Sequence, residues 1–160
     1  MTSLFVATPF TNLKLRFADG FLVEVDFDVE QQSYTPPVDP LLQAASEQLQ
    51  AYSISSEQIL DLPLAPVGTE FQQRVWAVLR NIPAGSVRTY GDIASELDSS
   101  PRAVGNACRA NPIPLFIPCH RVVAKSGIGG FAGKTDGLNM TLKVALLRHE
   151  GVEISIINPK

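Results

Sequence analysis

"RTYGDIASELDSSPRAVGNACRANP", residues 88–112, contains two helix starts in close succession. Thr89, followed three residues later by Asp92, has the form of a capping box, in which each side chain satisfies the other residue's backbone N–H. Ile93, Ala94 and Leu97 then supply an apolar stripe at helical spacing. Ser100 caps a second helix with Pro101 at its first position, where the missing N–H would have been unpaired anyway. Asn111-Pro112 ends that helix. Two short helices joined by a polar turn make a helix-turn-helix.

The second of these helices is two-faced. Val104, Ala107 and Cys108 share the core side, which makes Cys108 a small core hydrophobe. Arg102, Gly105, Asn106 and Arg109 share the other side, a composition suited to close approach to a phosphate backbone. A solvated polar face accounts for the same pattern, so the helix pair alone leaves nucleic-acid binding open.

Upstream, Thr69 and Gln72 form a second capping box, and Phe71, Val75, Trp76 and Leu79 give one apolar face. That helix stops at Pro83-Ala84-Gly85. Further back, "LKLRFADGFLVEVDFDV" reads as a β-hairpin turning at Asp19-Gly20, and "DPLLQAASEQLQAYS" as a helix with Leu41, Leu42, Ala45, Leu49 and Tyr52 on one side. Pro63, Pro66 and Gly68 mark a linker. The expected fold class is α+β, with an α/β N-terminal half. A small sheet-plus-helix domain, residues 1–62, is followed by a linker, 63–68, and a mostly helical domain, 69–160, with the helix-turn-helix.

Charge is divided unevenly. Residues 1–62 hold Lys14 and Arg16 against nine acids, a net of −7, and residues 63–160 hold 11 bases against seven acids, a net of +4. A basic second half points to a localised cationic surface. Hydrophobic residues make up 45 % of the 160 and mean hydropathy is +0.10, so a buried core is expected and disorder is not. No run approaches a membrane span, and the first residues lack a basic start and apolar core. Neither a membrane association nor a secretory signal is expected. Two cysteines, Cys108 and Cys119, suit a reducing cytoplasm rather than a disulfide scaffold. With His120 and His149 their spacing matches no zinc pattern, so no metal is expected.

"IPCHRVV", residues 117–123, sets Cys119 beside His120 and Arg121 after Pro118. On a strand, neighbouring side chains point to opposite faces and Cys119 and His120 could not cooperate. Pro118 instead suggests the first position of a helical turn, and a cysteine at a helix N-terminus has its thiolate favoured. "KSGIGGFAG" is glycine-rich but lacks the spacing of a phosphate-binding loop. The final helix carries Leu142, Ala145, Leu146 and His149 on one side, with His149 packed or capping, and ends at Gly151. Glu150 stands where the helix dipole disfavours an anion. It is either a solvated accident or the third member of a triad that holds a histidine.

"GTEFQQRVWAVLRNIPAGSVRTYGDIA", "RAVGNACRANPIPLFIPCHRVV" and "LLRHEG" together make the chain resemble the O6-alkylguanine-DNA alkyltransferases, the methylated-DNA–protein-cysteine methyltransferases. The resemblance is close over about residues 67–151. Before that it extends only to length and to strand-strand-helix order. It implies a repair protein that flips O6-alkylguanine, and also O4-alkylthymine, out of duplex DNA. The alkyl group passes irreversibly to the protein's own cysteine, once per molecule and without a cofactor.

The implied roles fall on named residues. Cys119 accepts the alkyl group, His120 is its base through a water, Glu150 orients and charges His120, and Asn111 holds the turn before the active-site segment. Tyr90 donates to the guanine and crowds the flipped nucleotide's phosphate, and Arg102 fills the space the base leaves. The carbonyls of Cys119 and Val122 accept from the guanine amino group, the Ala132 N–H faces O6, and Pro114 and Phe131 line the pocket. Gly105, Asn106 and Arg109 join Arg102 and Tyr90 on the DNA side. The partner is double-stranded DNA held through its minor groove, by a cytoplasmic monomer.

On these roles an imidazolium beside Cys119 is expected to bring its thiol below the free value of about 8.5. The product is a thioether, which water does not cleave. Three departures stand out. Residues 133–143 form a segment about five residues longer than the family's by alignment, Phe131 stands where tyrosine is common, and N-terminal zinc ligands are lacking.

Other readings are a non-catalytic relative that only binds alkylguanine, a cysteine hydrolase on another fold, and an operator-specific regulator. The first lacks the cysteine, the second turns over, and the third depends on operator sequence.

Overall fold

The structure is a computed structural model that describes residues 2–30, 39–125 and 137–154. The chain divides into two compact units, residues 1–67 and 68–160.

The first unit is a three-stranded antiparallel sheet and one helix. Strands β1 (Thr2–Ala7), β2 (Asn12–Ala18) and β3 (Phe21–Phe27) lie side by side in that order. The expected hairpin is β2–β3, with Leu15 opposite Val25 and a bulge between Arg16 and Phe17. Asp19 and Gly20 both have positive φ, 52° and 83°, which lets a tight turn follow the twist of the strands. Strand β1 adds an edge that the hairpin reading lacked, with Leu4 opposite Leu15.

Leu4, Val6, Leu13, Leu15, Phe17, Leu22 and Val25 are buried, and Leu42, Ala45, Leu49 and Tyr52 of helix α1 (Pro40–Ile54) are buried with them. Each large side chain removed from water here contributes about 1.5–3 kcal/mol. Asp39 caps α1 by accepting from the N–H groups of Leu41 and Leu42. On β2 and β3, Arg16 pairs with Glu24 at 2.8 Å, a partly exposed ion pair worth at most about 1 kcal/mol. Residues 63–65, in the proline-marked stretch, run along β3: Leu22 donates to the Pro63 carbonyl and receives a bond from the Ala65 N–H.

The second unit contains helices α2 (Glu70–Leu79), α3 (Tyr90–Glu96), α4 (Pro101–Arg109) and α5 (Gly137–His149). Between α2 and α3 lies the two-residue strand β4 (Arg88–Thr89), which pairs in parallel with β5 (Val122–Val123). Both capping boxes form. Gln72 N–H meets Thr69 Oγ1 at 3.1 Å, Asp92 N–H meets Thr89 Oγ1 at 3.0 Å, and both reciprocal bonds are present. Ser100 Oγ accepts from the Ala103 N–H, with Pro101 opening α4. Caps of this kind are each worth about 1 kcal/mol.

The core of this unit is built on Trp76. It is buried, and its indole N–H donates to the Ala107 carbonyl at 2.9 Å, tying α2 to α4. Gly68 lies so close that a Cβ there would collide with the Trp76 ring. Val75, Leu79, Ile93, Val104 and Ala107 close around them. The α5 stripe is rotated from the expected one. Leu142, Lys143, Leu146 and Leu147 are buried, while Ala145 and His149 are half-buried.

Candidate functional site

Between α4 and β5 the chain passes through one buried segment, residues 113–120. Its entry is set by Asn111. The Asn111 amide donates to the Ile117 carbonyl at 2.8 Å, and its Oδ1 accepts from the Ile113 N–H at 2.9 Å. The same side chain hydrogen-bonds the Cys119 sulfur. Pro114 is buried and bridges to Ile117, and Leu115 takes φ of +77°, a conformation a leucine adopts at a cost of about 1 kcal/mol or more. Three side-chain bonds from one asparagine offset that strain and bend the chain back towards α4.

Cys119, His120 and Arg121 form a single 3₁₀ turn. Pro118 precedes it as the cap residue rather than as its first member, one residue earlier than the sequence reading suggests. Successive side chains of a 3₁₀ turn project about 120° apart. Cys119 and His120 are therefore not forced to opposite faces. Cys119 is 3 % exposed and His120 fully buried.

His120 Nε2 lies 2.9 Å from Glu150 Oε2, and both side chains are sealed from solvent. Glu150 follows α5 directly, its N–H bonded to the Leu146 carbonyl, and Gly151 continues at φ of +85°. The solvated-accident reading of Glu150 thus falls. Burial alone would raise its carboxyl. The hydrogen bonds and charges of His120 and Arg121 outweigh that and hold it well below the ordinary range. Arg121 makes more bonds: Nε and Nη2 each reach a Glu150 oxygen at 2.9 Å, and Nη1 donates to the Ile82 carbonyl at 2.6 Å.

The protonation states depart from expectation. Burial pushes the Cys119 thiol up to about 11, against the opposing pull of Asn111, Lys143 and its own backbone. Burial also lowers His120 below its usual value, although Glu150 opposes the fall. Burial thus works against both the imidazolium and the thiolate, opposite in direction to the expected lowering of the thiol. Glu150 orients His120 and, by hydrogen bond and charge, holds its basicity up against burial.

Tyr90 opens α3, half-buried, within electrostatic reach of Cys108, Cys119 and Arg109. Its phenol is raised above its usual value by burial first and then by the two thiols, so it stays a donor at neutral pH. A Cβ built on Gly105 of α4 would meet Tyr90 at 4.0 Å, an ordinary contact. No clash inside the protein calls for glycine there. Arg102, Asn106 and Arg109 are exposed on the same helix, whose opposite side buries Val104, Ala107 and Cys108. Burial pushes the Cys108 thiol further up than that of Cys119. Val122 is buried, its N–H bonded to the Cys119 carbonyl, and its own carbonyl receives Lys143 Nζ at 2.7 Å. Phe131 and Ala132 lie outside the described residues.

A family model, the DNA-binding domain of 6-O-methylguanine DNA methyltransferase, matches residues 70–152, just over half of the chain and the whole of this constellation. The chain belongs to this family. Within it, the constitutive methylated-DNA–protein-cysteine methyltransferase of Bacillus subtilis is 43 % identical over 112 residues, 68 % of each chain. That of Archaeoglobus fulgidus is 43 % identical over 108 residues, 67 % of this chain and 74 % of its own. Among solved structures, Mycobacterium tuberculosis O6-methylguanine methyltransferase matches with a TM-score of 0.72 and 33 % identity over 93 % of both chains. Mycobacterium tuberculosis OGT in complex with DNA matches with a TM-score of 0.76 and 34 % identity, over 93 % of this chain and 92 % of that one.

Two residues of this alkyltransferase's site escaped the sequence reading, Arg121 and Lys143. Arg121 sits inside the quoted "IPCHRVV", but its carboxylate partner is 29 positions away. Lys143 breaks the apolar periodicity of α5 and reads as a surface residue until its carbonyl partner is known.

Proposed function

We propose that this protein repairs DNA by moving the alkyl group of O6-alkylguanine, and of O4-alkylthymine, onto Cys119, once per molecule. The observation that carries the reading is a sealed thiol hydrogen-bonded by Asn111 on the same turn as the His120–Glu150 pair, directly behind the arginine-bearing helix α4.

The chemistry follows from the protonation states. Burial pushes the thiol up to about 11, so the thiolate is scarce at pH 7. The thiolate is therefore made on demand. With Nε2–H directed at Glu150, Nδ1 carries the lone pair that takes the thiol proton, through a water. Sulfur then attacks the alkyl carbon, the C–S bond forms as the carbon–O6 bond breaks, and the departing guanine takes up one proton. The Tyr90 hydroxyl donates to the guanine ring and disperses the charge that develops there. The carbonyls of Cys119 and Val122 each hold one partner and keep a second lone pair for the guanine amino group. Pro114 lines the pocket.

A base inside a duplex must be extruded before sulfur can reach it. Arg102 fills the vacated space from the minor groove, while Gly105, Asn106 and Arg109 lie against the backbone. Residues 69–160 carry both DNA binding and alkyl acceptance, 63–68 connect, and 1–62 form a separate acidic domain. The protein acts as a cytoplasmic monomer. No helix among the described residues is long and apolar enough to cross a membrane.

Intact mass before and after incubation with an O6-methylguanine duplex tests the proposal. A gain of about 14 Da, mapped to Cys119 and absent from Cys119→Ser, is expected. An unchanged mass, or methyl on Cys108, overturns it.

A further inference from the structure

Cys108 is a buried nucleophile that the transfer chemistry leaves unused. It and Cys119 are the chain's two cysteines, and both are buried free thiols. Cys108 lies in the last turn of α4 and Cys119 opens the 3₁₀ turn. One residue, Asn111, touches both. Its N–H donates to the Cys108 carbonyl at 3.2 Å, and its side-chain amide hydrogen-bonds the Cys119 sulfur. The same amide holds the Ile117 carbonyl at 2.8 Å, which the Cys119 N–H also meets at 2.8 Å. The chain between the cysteines is thereby folded back on itself and closed at both ends.

The two sulfurs sense one another and share neighbours. Cys119 raises the Cys108 thiol beyond what burial does, and Tyr90 and Lys143 each face both sulfurs. As two anions they would repel each other with little water to screen them. As two ligands of one divalent cation they would not. Two S–H bonds break, two sulfur–metal bonds form, and two protons leave to solvent. The product is a bis-thiolate of zero net charge. Burial opposes a lone thiolate but not a neutral complex, and such a complex sets no added charge against the Lys143 ammonium.

The number of ligands selects the ion. Among the described residues, no group of three or more His, Cys, Asp or Glu is placed to hold a metal ion. Tetrahedral zinc therefore lacks its set. A soft, thiophilic cation that binds two sulfurs in line needs no third ligand, and mercuric ion is the simplest divalent case.

We infer that Cys108 and Cys119 together form a two-sulfur site for a soft, two-coordinate metal cation, and that filling it withdraws the acceptor sulfur from the transfer reaction. The binding site stands apart from the alkyl-transfer reading, and the block on transfer rests on that reading.

The test is mercuric chloride added to the full chain, followed by glutathione as a competing monothiol, with native mass as the readout. A lone thiol also takes mercury but leaves a second position open for glutathione. The wild type is expected to bind one mercury per chain in place of two protons, with no glutathione attached. It should need about a hundredfold more glutathione than Cys108→Ala to release the ion. An equal requirement, a mercury–glutathione adduct on the wild type, or a mercury-bridged pair of chains overturns the inference.

Should Cys108→Ala fail to fold, X-ray absorption at the mercury edge counts the sulfurs in the unmutated monomer. Two support the site and one overturns it. Methyl transfer from an O6-methylguanine duplex, run on the metal-free wild type, keeps the two readings apart. Its absence would remove the acceptor role, whereas the mercury measurements report on the site alone. Where transfer is present, the mercury-loaded wild type should be silent and should recover at the glutathione concentration that releases the ion. Transfer by the loaded form overturns the block.

Discussion

Arg121 grips Glu150 through both carboxylate oxygens, at 2.9 Å each, so the carboxylate that meets His120 is already charge-matched. Cutting this pair takes the bidentate cation away from a sealed carboxylate. Loss of one member of a buried pair costs about 3–5 kcal/mol. Arg121→Met is expected to lose stability of this order in urea denaturation.

The same variant carries a pH signature. Glu150 is depressed in the folded protein, so its contribution to stability is complete above the ordinary carboxyl range and lost as pH falls towards the folded value. Without Arg121 the folded value rises. The acid-unfolding midpoint of Arg121→Met should therefore move to higher pH, and an unmoved midpoint would assign the hold on Glu150 to His120 alone.

Asn111→Ala strips partners from the Ile113 N–H and the Ile117 carbonyl within a buried segment. Each buried group left unpaired costs about 1–3 kcal/mol. The strained Leu115 loses its restraint at the same time. A drop of several degrees in Tm is expected, with a slower Cys119 reaction because the sulfur's hydrogen bond is gone. A variant with wild-type Tm and rate would show the turn to be held by packing.

Arg102 and Tyr90 separate extrusion from chemistry. Arg102 is exposed on α4, whereas Tyr90 reaches the sulfur electrostatically. Arg102→Ala is expected to slow methyl transfer from duplex by tenfold or more (about 1.4 kcal/mol) and to leave the reaction with free benzylguanine near wild type. Tyr90→Phe should slow both. Equal losses on the two substrates for Arg102→Ala would place the arginine in support of the fold.

What the sequence disclosed was what lies within a few residues of itself. Thr69 with Gln72, Thr89 with Asp92, Ser100 with Pro101 and Asp19 with Gly20 are local devices, and each forms where the spacing puts it. Cys119 and His120 stood out because an unusual run of types has few structural reasons to exist, and Asn111 entered only through the family resemblance. The rest depends on distance along the chain. Strand β1 alternates buried Leu4 and Val6 over only six residues, too short a pattern to separate from a loop. The thiol's upward shift comes from burial, which no neighbour in sequence reveals. Lys143 violates its helix's pattern, and the Val122 carbonyl it meets lies 21 positions away in the chain.

Salt dependence distinguishes the two arginines of α4. Each phosphate neutralised on duplex DNA contributes about −0.9 to the slope of log K against log salt. On the proposed docking, Arg109 meets the backbone and Arg102 enters the base stack. Arg109→Gln should flatten the slope by about one, and Arg102→Ala should leave it nearly unchanged. The reverse result would exchange their roles, and a flat wild-type slope would speak against a phosphate-bound interface.

The proton path has its own signature in the single-turnover rate against pH. In the wild type His120 is lowered by burial and is neutral through the physiological range. Because its folded value lies below the ordinary one, the rate should hold steady as pH falls to about 6.5 and drop only beneath it. In His120→Ala the sulfur must ionise unaided against a thiol near 11. Its rate should then climb about tenfold for each pH unit, starting far below wild type at pH 7 and converging towards it near the thiol's own value. Glu150→Gln keeps the imidazole but loses its orienting charge, so it should lie between the two and show the same convergence. If His120→Ala ran parallel to wild type, with a constant deficit at every pH, histidine would be shaping the pocket and the proton would leave by another route.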